Sequence, residues 1–140
     1  MSSPRDVAMA LRISRALTAQ MLAEAESAPG REICGLLFGR AGEEITSIKP
    51  CTNVSAKPDS AFEIDPASLI AAYKDQRSGG PVLIGWYHSH PNGRAEPSPC
   101  DSAAAFEAGR IWVIIAQANL RAWEAIGSGA FAEVELEPSD

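Results

Sequence analysis

The sequence predicts a single α/β domain of mixed α+β character, in which helices pack on a sheet. Short apolar runs bounded by glycine, proline and turn residues alternate with amphipathic segments, which is the pattern of intermixed strands and helices. The run at 82–87 is apolar on both faces, as a central strand covered by helices on either side requires. The 140 residues, 46% of them hydrophobic, are enough for one ordinary core. The predicted domain therefore spans 1–140, with 1–10 and 138–140 expected to be loose ends.

The first half of the chain predicts two helices and three strands. Ser14 can cap a helix in which Leu17 and Met21 fall on one face. Pro66 opens a second helix, predicted over 67–77 and broken by the glycines that follow. Three runs between these helices predict strands: 33–38, 44–48 and 61–64.

The second half of the chain predicts four strands and one helix. The run at 82–87 is expected in the middle of the sheet, and a helix is expected over 99–107. Three further strands are predicted: 111–116, 121–126 and 131–137. Glutamates alternate with apolar residues in the last of these, so one of its faces should meet water.

Charge and cysteine content exclude several classes of protein. The net charge is -6, and the lysines and arginines form no basic stripe that would bind a phosphate backbone or an anionic membrane surface. We therefore expect no nucleic-acid partner and no membrane partner. No apolar run approaches the length of a membrane span, and the N-terminus lacks the apolar core of a secretory signal. Three widely spaced cysteines outline no disulfide framework, which favours a cytoplasmic location.

Two histidines stand where the predicted central strand ends. His88 and His90 are two residues apart, so their side chains point to the same side of the strand. A lone histidine is usually structural, but both histidines of the chain lie here. Two imidazoles on one side provide half of a metal site.

Asp101 is the candidate for the third ligand, because the turn after His90 lets the chain fold back toward the histidines. Imidazole and carboxylate ligands together suit zinc, and three protein ligands leave the fourth position to water, as in catalytic sites. A different interpretation stays open at this point. Ser98, Pro99 and Asp101 also have the spacing of a helix start, so capping alone explains the aspartate.

Glu32 opens the second apolar run and lies 56 residues before His88. A charged residue at the entrance of a strand is normally solvated. Sequence spacing therefore gives no reason to place this carboxylate beside the histidines.

The chain resembles the JAMM (MPN-plus) zinc metallopeptidases, whose pattern is an upstream glutamate followed by H-[ST]-H-x7-S-x2-D. His88-Ser89-His90, Ser98 and Asp101 stand at the required spacing, and the segment Glu32 to Leu37 resembles the E-x-C-G-hydrophobic signature of the family. The order of predicted elements agrees from about residue 11 to the last strand. The resemblance therefore covers nearly the whole chain.

The resemblance implies a fold, a metal and a set of roles. The implied fold is the three-layer, cytidine-deaminase-like JAB/MPN arrangement, a mixed central sheet flanked by helices. His88, His90 and Asp101 would hold one Zn²⁺ per chain. Glu32 would take a proton from the attacking water and return it to the leaving amine, and Ser98 would hold the water or the developing oxyanion.

The resemblance also implies a substrate class, because family members cut the amide or isopeptide bond after the C-terminal glycine of ubiquitin or a ubiquitin-like protein. The loops near 49–60 and 117–120 are short, which resembles the small stand-alone prokaryotic members. We expect a ubiquitin-like or sulfur-carrier protein as partner, with its extended tail bound along 53–64, around Phe62.

Three alternatives accompany this prediction. A catalytically inactive MPN scaffold that binds a partner subunit is the main one, although such relatives typically lack a ligand. A phage-tail or cell-wall peptidase is the second. A zinc deaminase is the third, but its H-x-E and P-C-x-x-C ligands are missing, because Cys100 is followed by Asp101 and by no second cysteine. The sequence leaves open the leaving amine, the linkage specificity, the oligomeric state and the role of Cys100.

Overall fold

A computed structural model describes residues 10–140, in which eight strands form one sheet and three helices pack on it. The elements in chain order are β1 (Leu11–Ile13), α1 (Arg15–Ser27), β2 (Cys34–Arg40), β3 (Glu44–Cys51), α2 (Pro66–Arg77), β4 (Leu83–Ser89), α3 (Pro99–Ala104), β5 (Ile111–Ala116), β6 (Asn119–Gly127), β7 (Ala130–Val134) and β8 (Leu136–Pro138). Among the described residues, no helix is long and apolar enough to cross a membrane.

The sheet is mixed, and β4 lies in its middle as predicted. The strand order is β7-β6-β5-β4-β2-β3-β1-β8. The pairs β4–β5, β1–β3 and β1–β8 are parallel, and the other neighbours are antiparallel. The consecutive strands β7 and β8 occupy the two ends of this order, so the sheet curls until its edges meet at Glu135.

Helix α1 fills the inside of the curled sheet. The Ser14 hydroxyl accepts a hydrogen bond from the backbone N–H of Leu17 at 3.1 Å, which caps the helix as predicted. Met21 is fully buried in a cluster with Leu37, Tyr87 and residues from most strands of the sheet. This cluster is the main core of the domain.

Helix α2 covers the opposite face of the sheet. Asp65 caps it, and Pro66 occupies its first turn. Ala72 and its neighbours on the helix pack against Leu36 and Phe38, whose side chains alternate with that of Leu37 along β2. Helices therefore lie on both faces of the sheet, which gives the three layers that were expected.

Two predicted elements end differently. The helix expected over 99–107 ends at Ala104, because the N–H of Phe106 turns back to the Ala104 carbonyl. The strand expected over 131–137 divides at Glu135, because β7 pairs with β6 whereas β8 pairs with β1. The three-residue strand β1 was not predicted.

The strand expected over 61–64 is wrong. Only an isolated antiparallel bridge joins Asn53 to Ile64. The Asn53 side chain donates to the Ala61 carbonyl at 3.0 Å and accepts from the Glu63 N–H at 3.0 Å. An amide side chain thus binds the backbone groups that a neighbouring strand would otherwise pair, and the segment is a loop.

The last residues of the chain are bound to the segment that joins β1 to α1. Residues 138–140 were expected to be loose, but the N–H of Ser139 donates to the Ile13 carbonyl at 3.0 Å and the Asp140 carboxylate accepts from the Arg15 N–H at 3.0 Å. The same expectation for 1–9 lies outside the described residues.

Substitution of Gly85 tests how closely the neighbouring strands β4 and β5 pack. A Cβ at Gly85 would lie 1.9 Å from the Ile111 carbonyl oxygen, and that oxygen belongs to the backbone of the neighbouring strand. We expect Gly85→Ala to lower the free energy of unfolding by about 2–3 kcal/mol, measured by urea denaturation. Gly30→Ala is the control, because a Cβ there meets nothing within 4 Å. Equal stability of the two variants would contradict the close β4–β5 contact.

Candidate metal centre

The site lies at the carboxyl end of β4, on the side of the sheet that α2 covers. His88 is fully buried, and the N–H of His90 donates to the Ile115 carbonyl at 2.8 Å, so pairing with β5 continues past the end of the strand. The two side chains consequently point the same way, as the spacing predicted. Their Nε2 atoms lie 3.0 Å apart.

Asp101 contacts both imidazoles and caps α3 at the same time. Its two carboxylate oxygens lie 3.1 Å from the Nε2 atoms of His88 and His90, respectively. One of these oxygens also accepts the N–H of Ser98 at 2.9 Å, while the Ser98 hydroxyl accepts the N–H of Asp101 at 3.1 Å. This is a complete capping box. The two interpretations of Asp101 are therefore compatible, since one carboxylate makes both sets of contacts.

Glu32 is buried beside the histidines and is not the solvated charge that its position would ordinarily imply. Its side chain is 4% exposed. The donor atoms of Glu32, His88 and His90 lie within 4.8 Å of one another. Its Oε1 atom is buried and has no hydrogen-bond partner among the described residues. The carboxylate thus has one oxygen free for a proton or a cation.

Ser89, between the two histidines, connects β4 to the start of β2. Its hydroxyl accepts the N–H of Ile33 at 2.9 Å, and its own N–H donates to the Ile33 carbonyl at 3.1 Å. Ile33 directly follows Glu32, so these bonds hold the glutamate at the end of β4. No role for Ser89 was predicted from the sequence, and its place between two candidate ligands is the one signal that could have indicated it.

The loop 52–65 encloses Glu32 from the other side. The Asn53 side chain donates to the Glu32 carbonyl at 2.9 Å, and the Glu32 N–H donates to the Pro58 carbonyl. The ring of Phe62 from the same loop lies against the ring of His88. Asn53 was not singled out from the sequence, because nothing local to it signals that contact.

Burial and mutual contact set the protonation of these groups. Burial lowers the pKa of His88. Burial also lowers that of His90, but hydrogen bonds to Asp101 and to the Arg94 carbonyl outweigh it, so the pKa of His90 is raised. Burial acts to raise the pKa of Asp101, but its hydrogen bonds to both histidines hold that pKa well below its ordinary value. Burial raises the pKa of Glu32 to about 7, with Asp101 adding to the rise.

The donor set fits a tetrahedral divalent cation. Bonds of 2.0–2.1 Å to such an ion place neighbouring donors about 3.3 Å apart, close to the 3.0–3.1 Å separations among His88, His90 and Asp101. Two imidazoles and two carboxylates are buried together here, and imidazole and carboxylate ligands in combination suit zinc. Glu32, His88 and His90 form another possible ligand set, with atoms within 4.8 Å of one another, but the 3.1 Å contacts to the two histidines are made by Asp101. Cys100 is exposed and contributes no contact to this cluster.

All five residues singled out from the sequence meet in one place, at the end of a central strand in a three-layer domain. Such a site defines a class of metal-binding α/β proteins. Residues 14–126 match the family of prokaryotic homologs of the JAB domain, and the chain belongs to that family.

Two curated relatives show the same relationship. The chain is 34% identical over 87 residues to a desampylase of Haloferax volcanii, which covers 61% of this chain and 63% of that protein. It is 36% identical over 93 residues to a probable TtuB-protein conjugate cleaving protease of Thermus thermophilus, which covers 66% and 62%, respectively. The matched region thus spans less than two thirds of either relative.

Solved structures confirm the fold. A protein of Desulfitobacterium hafniense shares 30% identity with a TM-score of 0.79, and the match covers 93% of each chain. A JAB1/MPN domain protein of Archaeoglobus fulgidus shares 21% identity with a TM-score of 0.58, over 91% of this chain and 98% of that one. The second likeness is one of fold alone. The JAB/MPN fold expected from the sequence is therefore confirmed.

Substitution of Ser89 tests whether its hydroxyl anchors the start of β2 to β4. In Ser89→Ala the partly buried N–H of Ile33 loses its acceptor, so we expect a loss of about 1–3 kcal/mol in the free energy of unfolding, measured by urea denaturation. Ser60→Ala, in an exposed serine, should change it by less than about 0.5 kcal/mol. A Ser89→Ala protein as stable as the control would show that this hydroxyl does not anchor β2.

Proposed function

We propose that this chain is a zinc-dependent isopeptidase that hydrolyses the amide or isopeptide bond after the C-terminal glycine of a ubiquitin-like or sulfur-carrier protein. The observation that carries the proposal is the buried cluster of His88, His90 and Asp101 with Glu32 beside it. The names of the two curated relatives support the substrate class, since one is a desampylase and the other a protease that cleaves protein conjugates.

His88, His90 and Asp101 are the proposed zinc ligands. The Nε2 atoms of the two histidines lie 3.0 Å apart, and each lies 3.1 Å from a carboxylate oxygen of Asp101. Three protein ligands leave one tetrahedral position for water or substrate. The hydrogen bond between His90 Nδ1 and the Arg94 carbonyl, 2.6 Å long, places the proton on Nδ1 and leaves the Nε2 lone pair for the cation. Zinc, when bound, supplies Lewis-acid activation of water and of the scissile carbonyl.

Glu32 is the proposed general base and then the general acid. Its Oε1 has no competing hydrogen bond, so it is available to take a proton from the attacking water. Its pKa of about 7, raised by burial, suits a group that must both accept and return a proton near neutral pH. The returned proton goes to the leaving amine, which departs as the amide bond breaks.

Ser98 is proposed to stabilise the oxyanion. Its oxygen already accepts the Asp101 N–H, so the hydroxyl proton is free to be donated. The capping box fixes the position of this hydroxyl relative to Asp101. A preorganised donor of this kind stabilises charge that develops on the carbonyl oxygen.

The substrate tail is proposed to reach the site along the loop 52–65. A cavity of about 360 Å³ at the start of that loop has Glu32 and Asn53 in its wall, together with Glu24 of α1, and it reaches the site through Glu32, since none of the proposed zinc ligands lines it. Val54 is 43% exposed at the start of the loop. An extended tail ending in glycine suits such a groove, because it needs backbone contacts and little side-chain space.

Glu32→Gln tests the catalytic assignment. We expect cleavage of a ubiquitin-like protein joined to lysine to fall by at least about 10²-fold, because the amide cannot accept the proton. Zinc should still bind in a one-to-one ratio, measured by elemental analysis, and cleavage is read by intact mass. Glu43→Gln, an exposed glutamate, is the matched control and should keep full activity. A zinc-loaded wild-type protein that cleaves no such conjugate would favour the scaffold alternative.

Val54→Asp tests the path of the tail. If the tail lies along the loop, a buried charge at its contact should raise KM about tenfold or more and leave kcat nearly unchanged. Val82→Asp is the matched control, because Val82 is 48% exposed next to the opposite end of β4. An unchanged KM for Val54→Asp, or the same rise in the control, would place the tail elsewhere.

A further inference from the structure

The two histidines of the metal centre are held in place in different ways. His90 Nδ1 is hydrogen-bonded to the Arg94 carbonyl at 2.6 Å. His88 Nδ1 is buried and forms no hydrogen bond with any protein group in 10–140. Histidine ligands usually donate this second N–H to an acceptor, which fixes the orientation of the ring. His88 has no such acceptor among the described residues.

Aromatic rings surround His88 instead. The ring of Phe62 stacks on it with centroids 4.1 Å apart and an interplanar angle of 22°. The Trp112 indole meets it edge to face at 5.8 Å and 82°, and Phe62 meets Trp112 edge to face at 5.7 Å. A rotation of the imidazole out of its plane would therefore drive it into one of these rings.

We propose that Phe62 is a positioning residue that orients the His88 ring by stacking, in place of the missing hydrogen bond. The stacked ring keeps Nε2 directed at His90 and Asp101, whose nearest atoms are 3.0 and 3.1 Å away. The inference rests on the proposed function, because it concerns how well the site holds zinc.

The position of Phe62 in the chain gives this contact a second consequence. Phe62 belongs to the loop 52–65, which also holds Glu32 through Asn53 and through the Pro58 carbonyl. One loop thus contacts both the proposed base and a proposed ligand. A change in this loop acts on the metal centre from the side where the substrate tail is proposed to bind.

The test compares zinc affinity among three variants, measured by competition with a chromophoric chelator. Phe62→Leu keeps an apolar side chain but removes the ring, and we expect zinc binding to weaken about tenfold or more. Phe62→Tyr keeps the ring and should stay within about threefold of wild type. Phe131→Leu is the matched control, because Phe131 packs edge to face on Trp112 at 5.1 Å without stacking on His88. It should also stay within about threefold.

Each outcome decides a different point. A wild-type protein that binds no zinc removes the proposed function. Wild-type affinity in Phe62→Leu, or equal weakening in Phe131→Leu, overturns the positioning role and leaves the metal centre standing. The metal-free wild-type protein gives a readout that needs no variant: nuclear Overhauser contacts between the ring protons of Phe62 and His88 are expected, and their absence overturns the stack.

Discussion

The carboxylate of Asp101 is the group on which the site depends. Its oxygens contact both imidazoles, and one of them also accepts the N–H that begins α3. A helix of six residues is too short to be stable alone, so these contacts fix α3 to the end of β4. The Asp101 side chain both caps α3 and contacts the two histidines, so a change at Asp101 affects the start of the helix and the metal centre together.

The sheet explains why donors distant in the sequence meet. β2 runs antiparallel to β4 with Cys34 opposite His88, so the chain just before β2 lies beside the end of β4. Glu32 occupies that place, and Ser89 fixes it there through Ile33. The core around α1 forms from apolar residues on the opposite face of the sheet and is independent of these contacts. The loop 52–65 and the turn after β4, whose Arg94 carbonyl binds His90, complete the site without a regular element.

The parts of the structure that depend on local chemistry were predictable, and those that depend on pairing were not. Ser14 and Ser98 predict the starts of their helices, because each capping side chain accepts a hydrogen bond from an N–H only three residues later in the sequence. The place of Glu32 depends on the β2–β4 register, so the resemblance to a known family supplied it. The segment 61–64 has alternating apolar residues, but the Asn53 side chain that makes it a loop lies about ten positions earlier. β7 and β8 are separate strands because the curl of the sheet gives them different partners. That curl depends on the pairing of all the strands, so the sequence of 131–137 alone does not predict the division.

The burial of Glu32 weighs against a purely structural role for the cluster. A buried carboxylate costs free energy unless it is paired, and replacing such a group by an apolar one is often neutral or stabilising. Asp101 has partners on both oxygens, so capping and contact with the imidazoles account for it. Glu32 has a buried oxygen with no partner in the described residues, although the loop 52–65 binds both its backbone N–H and its carbonyl. This arrangement adds no stabilising contact within the described residues, and it agrees with the proton-carrying role proposed for Glu32.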